Sequence, residues 1–335
     1  MSNQGIATIG VLGAGAWGTA LAQMLASDGR DLLIWALESE LVEEINARHS
    51  NSLYLPSADL TPNIHATNDL SDFAGIDTVL AVTPAQHLGK VLSGMGTAPR
   101  DLVLCSKGIE AGTGRLMNHV ASAASPDSAI AVLSGPTFAH EVAAGLPTAV
   151  TLACAEGETQ WARLAPEIAR PTFRPYYSDD VTGAEIGGSI KNVLAIACGV
   201  VDGLQLGQNA RAALIARGYA EMLRFGATMG ARAETLAGLC GLGDLVLTCS
   251  STSSRNFSLG KSLGEGGSAA ELMADRRTVA EGAHTAPVLK QLAQDKAIDM
   301  PIVDAVNAIL EGAAPAAVVS ELLSRPLRAE QGDGE

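Results

Sequence analysis

The residue best placed to do chemistry is Lys191. It is the only charged residue between Glu185 and Asp202, within the segment GAEIGGSIKNVLAIACGVVDGL from Gly183 to Leu204. Apolar and small residues surround it on every side of a helical projection, the pattern of a helix buried in a core. Burial disfavours an ammonium, pulls its pKa toward neutrality and makes it a proton acceptor, unless a nearby carboxylate holds it charged. A lysine at the edge of a bundle, snorkelling its head to water, fits the same segment.

A second signal is GAGAWG from Gly13 to Gly18, a GxGxxG that follows the apolar run from Ile6 to Leu12 and leads into a helix-like stretch ending near Ala26. Strand, glycine turn and helix in that order suit a dinucleotide. Gly13 makes the turn, Gly15 admits a pyrophosphate, Gly18 lets the helix pack closely, and the helix start offers free N–H groups and a positive dipole end. A second strand-like run, Leu32 to Ala36, ends just before Glu38. A carboxylate about 20 residues past the motif accepts from a ribose 2′-OH and repels a 2′-phosphate. An ordinary acid at the start of a helix has the same address.

Other polar groups stand at the ends of apolar runs, where open α/β sheets bind ligands. They are Thr83 with Pro84, Ser106-Lys107-Gly108, and SGPT from Ser134 to Thr137. Lys107 in this position projects into the cofactor crevice, unless it is a plain surface lysine. Further on, the glycine-dense loop from Gly238 ends in Asp244, and SSTSSRN runs from Ser250 to Asn256. The second is either a flexible loop or a phosphate clamp, since hydroxyls, an amide and the fork of Arg255 all donate to phosphate oxygens. TVAEG from Thr278 to Gly282 reads on its own as a structural turn.

The elements that must hold these residues fall into two groups. Strand-like runs at Asp77 to Val82, Leu102 to Cys105, Ala129 to Leu133 and Pro147 to Cys154 alternate with helical or loop segments. That alternation predicts a Rossmann-like, doubly wound, largely parallel α/β sheet. Near Ser178 the pattern changes to helical periods, at Gly183 to Leu204, Ala210 to Met229, Gly260 to Met273, Pro287 to Lys296 and Pro301 to Leu310. The division is a dinucleotide-binding domain over 1–178, an all-α substrate and catalytic domain over 179–327, and a polar tail over 328–335.

Composition narrows the function classes. Of 335 residues 47% are hydrophobic and 17% charged, and the net charge is -14. No basic run offers a surface to nucleic acid or anionic membrane, so an anionic substrate must be held by a local cationic cluster. Residues 1–27 lack charge, but five glycines interrupt them and no basic segment precedes them, so a cytoplasmic chain without membrane insertion is expected. Five cysteines without a CxxC pair and six scattered histidines suggest reduced thiols and no metal site. The apolar helices of the second domain fit a homodimer face and fit a monomer with a thick core equally well.

Together these motifs resemble the bacterial NAD(P)-dependent sn-glycerol-3-phosphate dehydrogenases. The resemblance is carried by GAGAWGTAL from Gly13, SKGIE from Ser106, SGPTFAHEV from Ser134, IKNVLAIACG from Ile190, GLGDLVLTC from Gly241, SRN from Ser254 and VAEG from Val279. It covers the chain from about Gly5 to Arg325. It implies interconversion of sn-glycerol 3-phosphate and dihydroxyacetone phosphate, supplying the backbone of phospholipids. It also implies Lys191 as general acid/base, oriented by Asp244 with Thr248 close by, and Lys107 as a second active-site lysine. Gly135, Thr137, Lys107, Lys191, Asp244, Ser254, Arg255 and Asn256 would contact substrate. Gly13, Gly15, Ala16, Trp17, Gly18, Glu38, Lys107, Ala139, Arg255, Val279 and Glu281 would line the cofactor. Many relatives carry basic residues where this chain has Leu37 and Glu38, so NAD is the expected cofactor and NADP the secondary one. A sibling dehydrogenase acting on a hydroxy acid and a cofactor-binding module without turnover are the competing readings.

Overall fold

Runs such as IGVL and TVLA are satisfied only where both faces of a strand are covered, and they form the centre of one eight-stranded sheet. The computed structural model describes residues 9–274 and 280–326. Its strands are β1 (Ile9–Leu12), β2 (Leu32–Trp35), β3 (Ile64–Thr67), β4 (Thr78–Ala81), β5 (Asp101–Leu104), β6 (Ala129–Ser134), β7 (Thr148–Cys154) and β8 (Phe173–Ser178). Their order in space is β3-β2-β1-β4-β5-β6-β7-β8, and every pair is parallel except β6 with β7. The order therefore reverses beside β1, which places the GxGxxG turn at the crevice where such sheets bind ligands.

The connecting helices are α1 (Ala16–Ala26), α2 (Ser39–Arg48), α3 (Leu88–Gly94), α4 (Met117–Ala124), α5 (Ala139–Ala143) and α6 (Glu158–Ile168). Two strands escape the sequence reading, and both are edges. β3 is only IHAT, with an exposed histidine, and β8 carries Pro175 and Arg174 among its six residues. An edge strand tolerates a proline because one side of its backbone needs no ladder partner.

From Asp180 onward the described residues form helices and the turns between them. The helices are α7 (Val181–Gly203), α8 (Gly207–Thr228), α9 (Ala233–Leu236), α10 (Asp244–Cys249), α11 (Arg255–Gly264), α12 (Ala269–Ala274), α13 (Glu281–Asp295), α14 (Pro301–Leu310) and α15 (Pro315–Leu323). α7 is the axis of this half: every residue from Gly183 to Val201 is buried, and α8, α10, α11, α13 and α14 pack around it. The single helix expected from Gly260 to Met273 is two, α11 and α12. Gly266, at φ +97°, turns the chain between them. The loop expected over Gly238 to Asp244 is instead a short π-helical turn, Leu239–Gly243, running straight into α10.

The crossing of α7 and α11 decides where the site residues fall. Gly199 and Gly203 on α7 face Gly260 and Gly264 on α11, and a Cβ at any of the four would collide with a carbonyl oxygen of the other helix. The two backbones are thus in direct contact. The N-terminus of α11, with Arg255 and Asn256, is carried to within hydrogen-bonding reach of α7 one turn before the crossing.

Candidate active site

Lys191 sits inside α7 and its ammonium is not at the bundle edge. Its side chain is only 8% exposed, and Nζ donates to Asp244 Oδ1 at 2.7 Å and to Thr248 Oγ1 at 2.8 Å. The snorkelling alternative is therefore excluded. Burial pushes Lys191 down to about 8, against the pull of the Asp244 carboxylate and with added repulsion from Lys107. The ammonium thus titrates close to neutral pH, where a general acid/base is most effective.

Asp244 is fully buried and divides its oxygens between two lysines. Lys107 Nζ donates to Oδ2 at 2.6 Å while Lys191 takes Oδ1, and Thr248 Oγ1 also donates to Oδ1 at 3.2 Å. One lysine comes from the loop after β5 and the other from the central helix, so the carboxylate joins the sheet to the helical half. Local packing makes this contact unavoidable. Asp244 opens α10, directly after the π turn, whose backbone lies against Gly187 of α7. Lys107 crosses α7 at Gly188, where a Cβ would lie 3.4 Å from Lys107 Cγ and 2.9 Å from Ser134 Oγ. At the next residue, Ser189 Oγ shares its proton between Glu185 O at 2.8 Å and Gly108 O at 3.2 Å, which ties the lysine loop to the helix.

The loop after β6 closes another side. Gly135 O accepts from Lys107 Nζ at 3.5 Å and from Thr137 Oγ1 at 3.3 Å. Ser254 is the N-cap of α11, its Oγ accepting from Phe257 N at 3.2 Å, which leaves the hydroxyl proton free to donate. Arg255 opens the helix and is exposed. Asn256 is buried and links three helices. Its Nδ2 donates to Asn192 Oδ1 at 3.0 Å, and its Oδ1 accepts from Gly282 N at 2.9 Å. Glu281, the first residue of α13, is thereby held among cations. Burial pushes its carboxyl up to about 7, opposed by Arg255, Lys107 and Lys191. The sequence reading singled out neither Asn192 nor Ser189, whose positions beside Lys191 were the available signal. Val279 lies outside the described residues.

The cofactor-binding candidates gather on the other side of the crevice. Gly13, at φ +115°, makes the turn and donates to Trp35 O at 3.0 Å, while a side chain on Gly18 would collide with Gly13 O. Gly15 caps α1 with no side-chain bond to the helix, and the space around it is open. Ala16, Trp17 and Ala139 pack on the same core cluster, because α5 rests on α1. Two buried donors here, Trp17 Nε1 and Thr83 Oγ1, have no partner among the described residues. A free helix start, an open glycine and orphaned buried donors fit a dinucleotide pyrophosphate and its ribose hydroxyls. Glu38 stands at the start of α2 without capping it and accepts instead from Tyr54 OH at 2.8 Å.

Comparison with known proteins agrees over nearly the whole chain. Residues 8–160 match the family model for the NAD-dependent glycerol-3-phosphate dehydrogenase N-terminus, and residues 180–321 the one for its C-terminus. A glycerol-3-phosphate dehydrogenase of Erythrobacter litoralis is 75% identical over 97% of this chain and 98% of its own. That of Novosphingobium aromaticivorans is 73% identical over 96% and 98%. The crystal structure of glycerol-3-phosphate dehydrogenase from Coxiella burnetii superposes with a TM-score of 0.90 at 41% identity, covering 95% of this chain and 98% of that one. With two lysines sharing one buried carboxylate beside a dinucleotide crevice, the chain belongs to the NAD(P)-dependent glycerol-3-phosphate dehydrogenases.

Proposed function

We propose that Lys191 is the proton-transferring group in the interconversion of sn-glycerol 3-phosphate and dihydroxyacetone phosphate, and that the chain works chiefly with NAD. The observation that carries this reading is the bridge at Asp244, one oxygen to each lysine at 2.6 and 2.7 Å. In reduction, Lys191 Nζ gives its proton to the C2 oxygen of the substrate, and in oxidation it takes that proton back. Lys107, the more exposed of the pair, polarises the same oxygen. Asp244 keeps both ammonium groups aimed at one point and holds Lys191 charged enough to donate. A bound nicotinamide supplies the hydride donor or acceptor.

Substrate binding follows from charge. The chain is at -14 overall, so a phosphate dianion is held by local donors: Arg255, Ser254 and Asn256 at the start of α11, with Gly135 and Thr137 opposite. The helix dipole at the N-terminus of α11 adds to this attraction. Residues 1–178 hold the cofactor and supply Lys107, Gly135 and Thr137, while residues 179–327 supply Lys191 and the start of α11, so catalysis needs both. Glu38, where many relatives carry a cation, favours the ribose hydroxyl of NAD over the phosphate of NADP. The product feeds the backbone of phospholipids, in a cytoplasmic setting. In support, the apolar helix long enough to span a bilayer, α7, is wholly buried within the protein.

The test is consumption of NADH and NADPH by the purified chain with dihydroxyacetone phosphate, beside unphosphorylated dihydroxyacetone. The reading expects oxidation that depends on the phosphate and is faster with NADH. Turnover of unphosphorylated hydroxy or keto acids instead would overturn it.

A further inference from the structure

Glu38 is held in place by a segment that the catalytic reading leaves unused, the connection between α2 and β3. His49 leaves α2 in the left-handed conformation, and the connection is then fastened at both ends, by the bridge between Ser50 and Asp59 and by Leu60 N donating to His49 O at 2.8 Å. Near its start Asn51 is fully buried beneath the glycine turn. Its Nδ2 donates to Ala14 O at 2.9 Å and to Thr19 Oγ1 at 2.8 Å, and its Oδ1 accepts from Tyr54 N at 2.9 Å. Tyr54 then reaches across to Glu38 Oε1 at 2.8 Å. A continuous line of hydrogen bonds thus runs from the GxGxxG turn through Asn51 and Tyr54 to the carboxylate.

We propose that Tyr54, anchored by Asn51, is the positioning residue that makes Glu38 select NAD over NADP. The inference rests on the reading that Glu38 meets the adenosine ribose. The phenol has one proton to give, and it is spent on Oε1. Oε2 accepts from no described residue and stays available to a ribose diol. The carboxylate does not bond the N-terminus of α2 either, so its orientation comes from Tyr54 rather than from the helix. Burial and the Glu38 carboxylate push Tyr54 up to about 12, so the hydroxyl remains a donor throughout the working pH range. A carboxylate fixed in this way cannot swing aside to admit a 2′-phosphate, whereas a free one can rotate toward solvent. Tyr54 therefore strengthens the favourable contact with a diol and the repulsion of a phosphate at the same time.

The test is Tyr54→Phe, read by calorimetric binding of ADP-ribose and 2′-phospho-ADP-ribose, with kcat/KM for NADH and NADPH alongside. ADP-ribose binding should weaken about tenfold, the scale of one hydrogen bond to a charged group. The phosphorylated ligand should not weaken in step, so the preference ratio falls. Equal weakening of both ligands would mean that Tyr54 only supports the loop, and would overturn the proposal. In a Glu38→Gln background the effect of Tyr54→Phe on the ratio should vanish, and an undiminished effect there would also overturn it. Wild-type protein that binds the two ligands equally would instead sink the Glu38 reading itself, a result distinguishable from failure of the Tyr54 step alone.

Discussion

Replacing Asp244 by asparagine keeps the shape of the side chain and removes the charge that both lysines share. An amide has one acceptor oxygen, so one of the two ammonium groups loses its bond to residue 244 and keeps only its neutral acceptor, Thr248 Oγ1 for Lys191 or Gly135 O for Lys107. With charge centres about 4 Å apart and an effective dielectric near 20, the carboxylate stabilises the Lys191 ammonium by about 4 kcal/mol. That is about 3 pKa units. Lys191, already pushed down to about 8 by burial, should then titrate near pH ~5. Neutral solution would leave only about one molecule in a hundred with the proton that reduction requires. For the wild type, kcat/KM for dihydroxyacetone phosphate should be flat below pH ~8 and fall above it. For Asp244→Asn it should be down about 100-fold at pH ~7 and recover toward pH ~5. Stability gives an independent check. The unfolded lysine keeps its proton up to about pH 10 and the folded one has lost it, so the unfolded state binds more protons and stability rises with pH in this window. The melting temperature of the variant should climb between pH ~7 and ~9 more steeply than that of the wild type. A variant whose activity loss is the same at every pH would refute the reasoning, because Asp244 would then be acting through geometry alone.

Two further substitutions probe how the site is assembled. Gly260→Ala puts a methyl against the backbone of Ile196, 2.8 Å from its carbonyl carbon, and must prise α11 from α7. A loss of roughly 1–3 kcal/mol in denaturant stability is expected, with a raised KM for the phosphorylated substrate as Arg255 and Asn256 move. Wild-type stability and KM together would show that the crossing does not set the clamp. Arg255→Ala removes charge-assisted bonds worth about 1.5–3 kcal/mol, so kcat/KM for dihydroxyacetone phosphate should fall about 10- to 100-fold. Unphosphorylated dihydroxyacetone should be turned over as before, and an equal loss for both substrates would take Arg255 out of the phosphate clamp.

Much of the site was legible because its residues break the pattern of their surroundings. A lone lysine in an apolar helix, a lysine at a strand end and an acid closing a glycine run each stand out from the sequence. What could not be read was how they converge. Nothing local to Asp244 shows that the preceding glycines form a π turn against Gly187, or that its two oxygens meet lysines 53 and 137 positions away. Asn192 was hidden for the same reason, and the partners of Asn256 with it: an amide gains meaning only from the partner that distant packing supplies. Tyr54 and Asn51 lie in a polar connection with no helical or strand period, where sequence reading has least purchase. In the fold, the central strands were legible from continuous apolar runs, whereas β3 and β8 were not, since edge strands need neither full burial nor a complete ladder.

The central claim is that Lys191 carries the proton, and the most direct test is turnover by Lys191→Ala with dihydroxyacetone phosphate and NADH at saturation. The account expects kcat to fall at least about 100-fold, the scale of general acid/base loss, with folding intact by circular dichroism. Near-normal turnover by a folded Lys191→Ala protein would contradict it and move the proton-transferring group elsewhere.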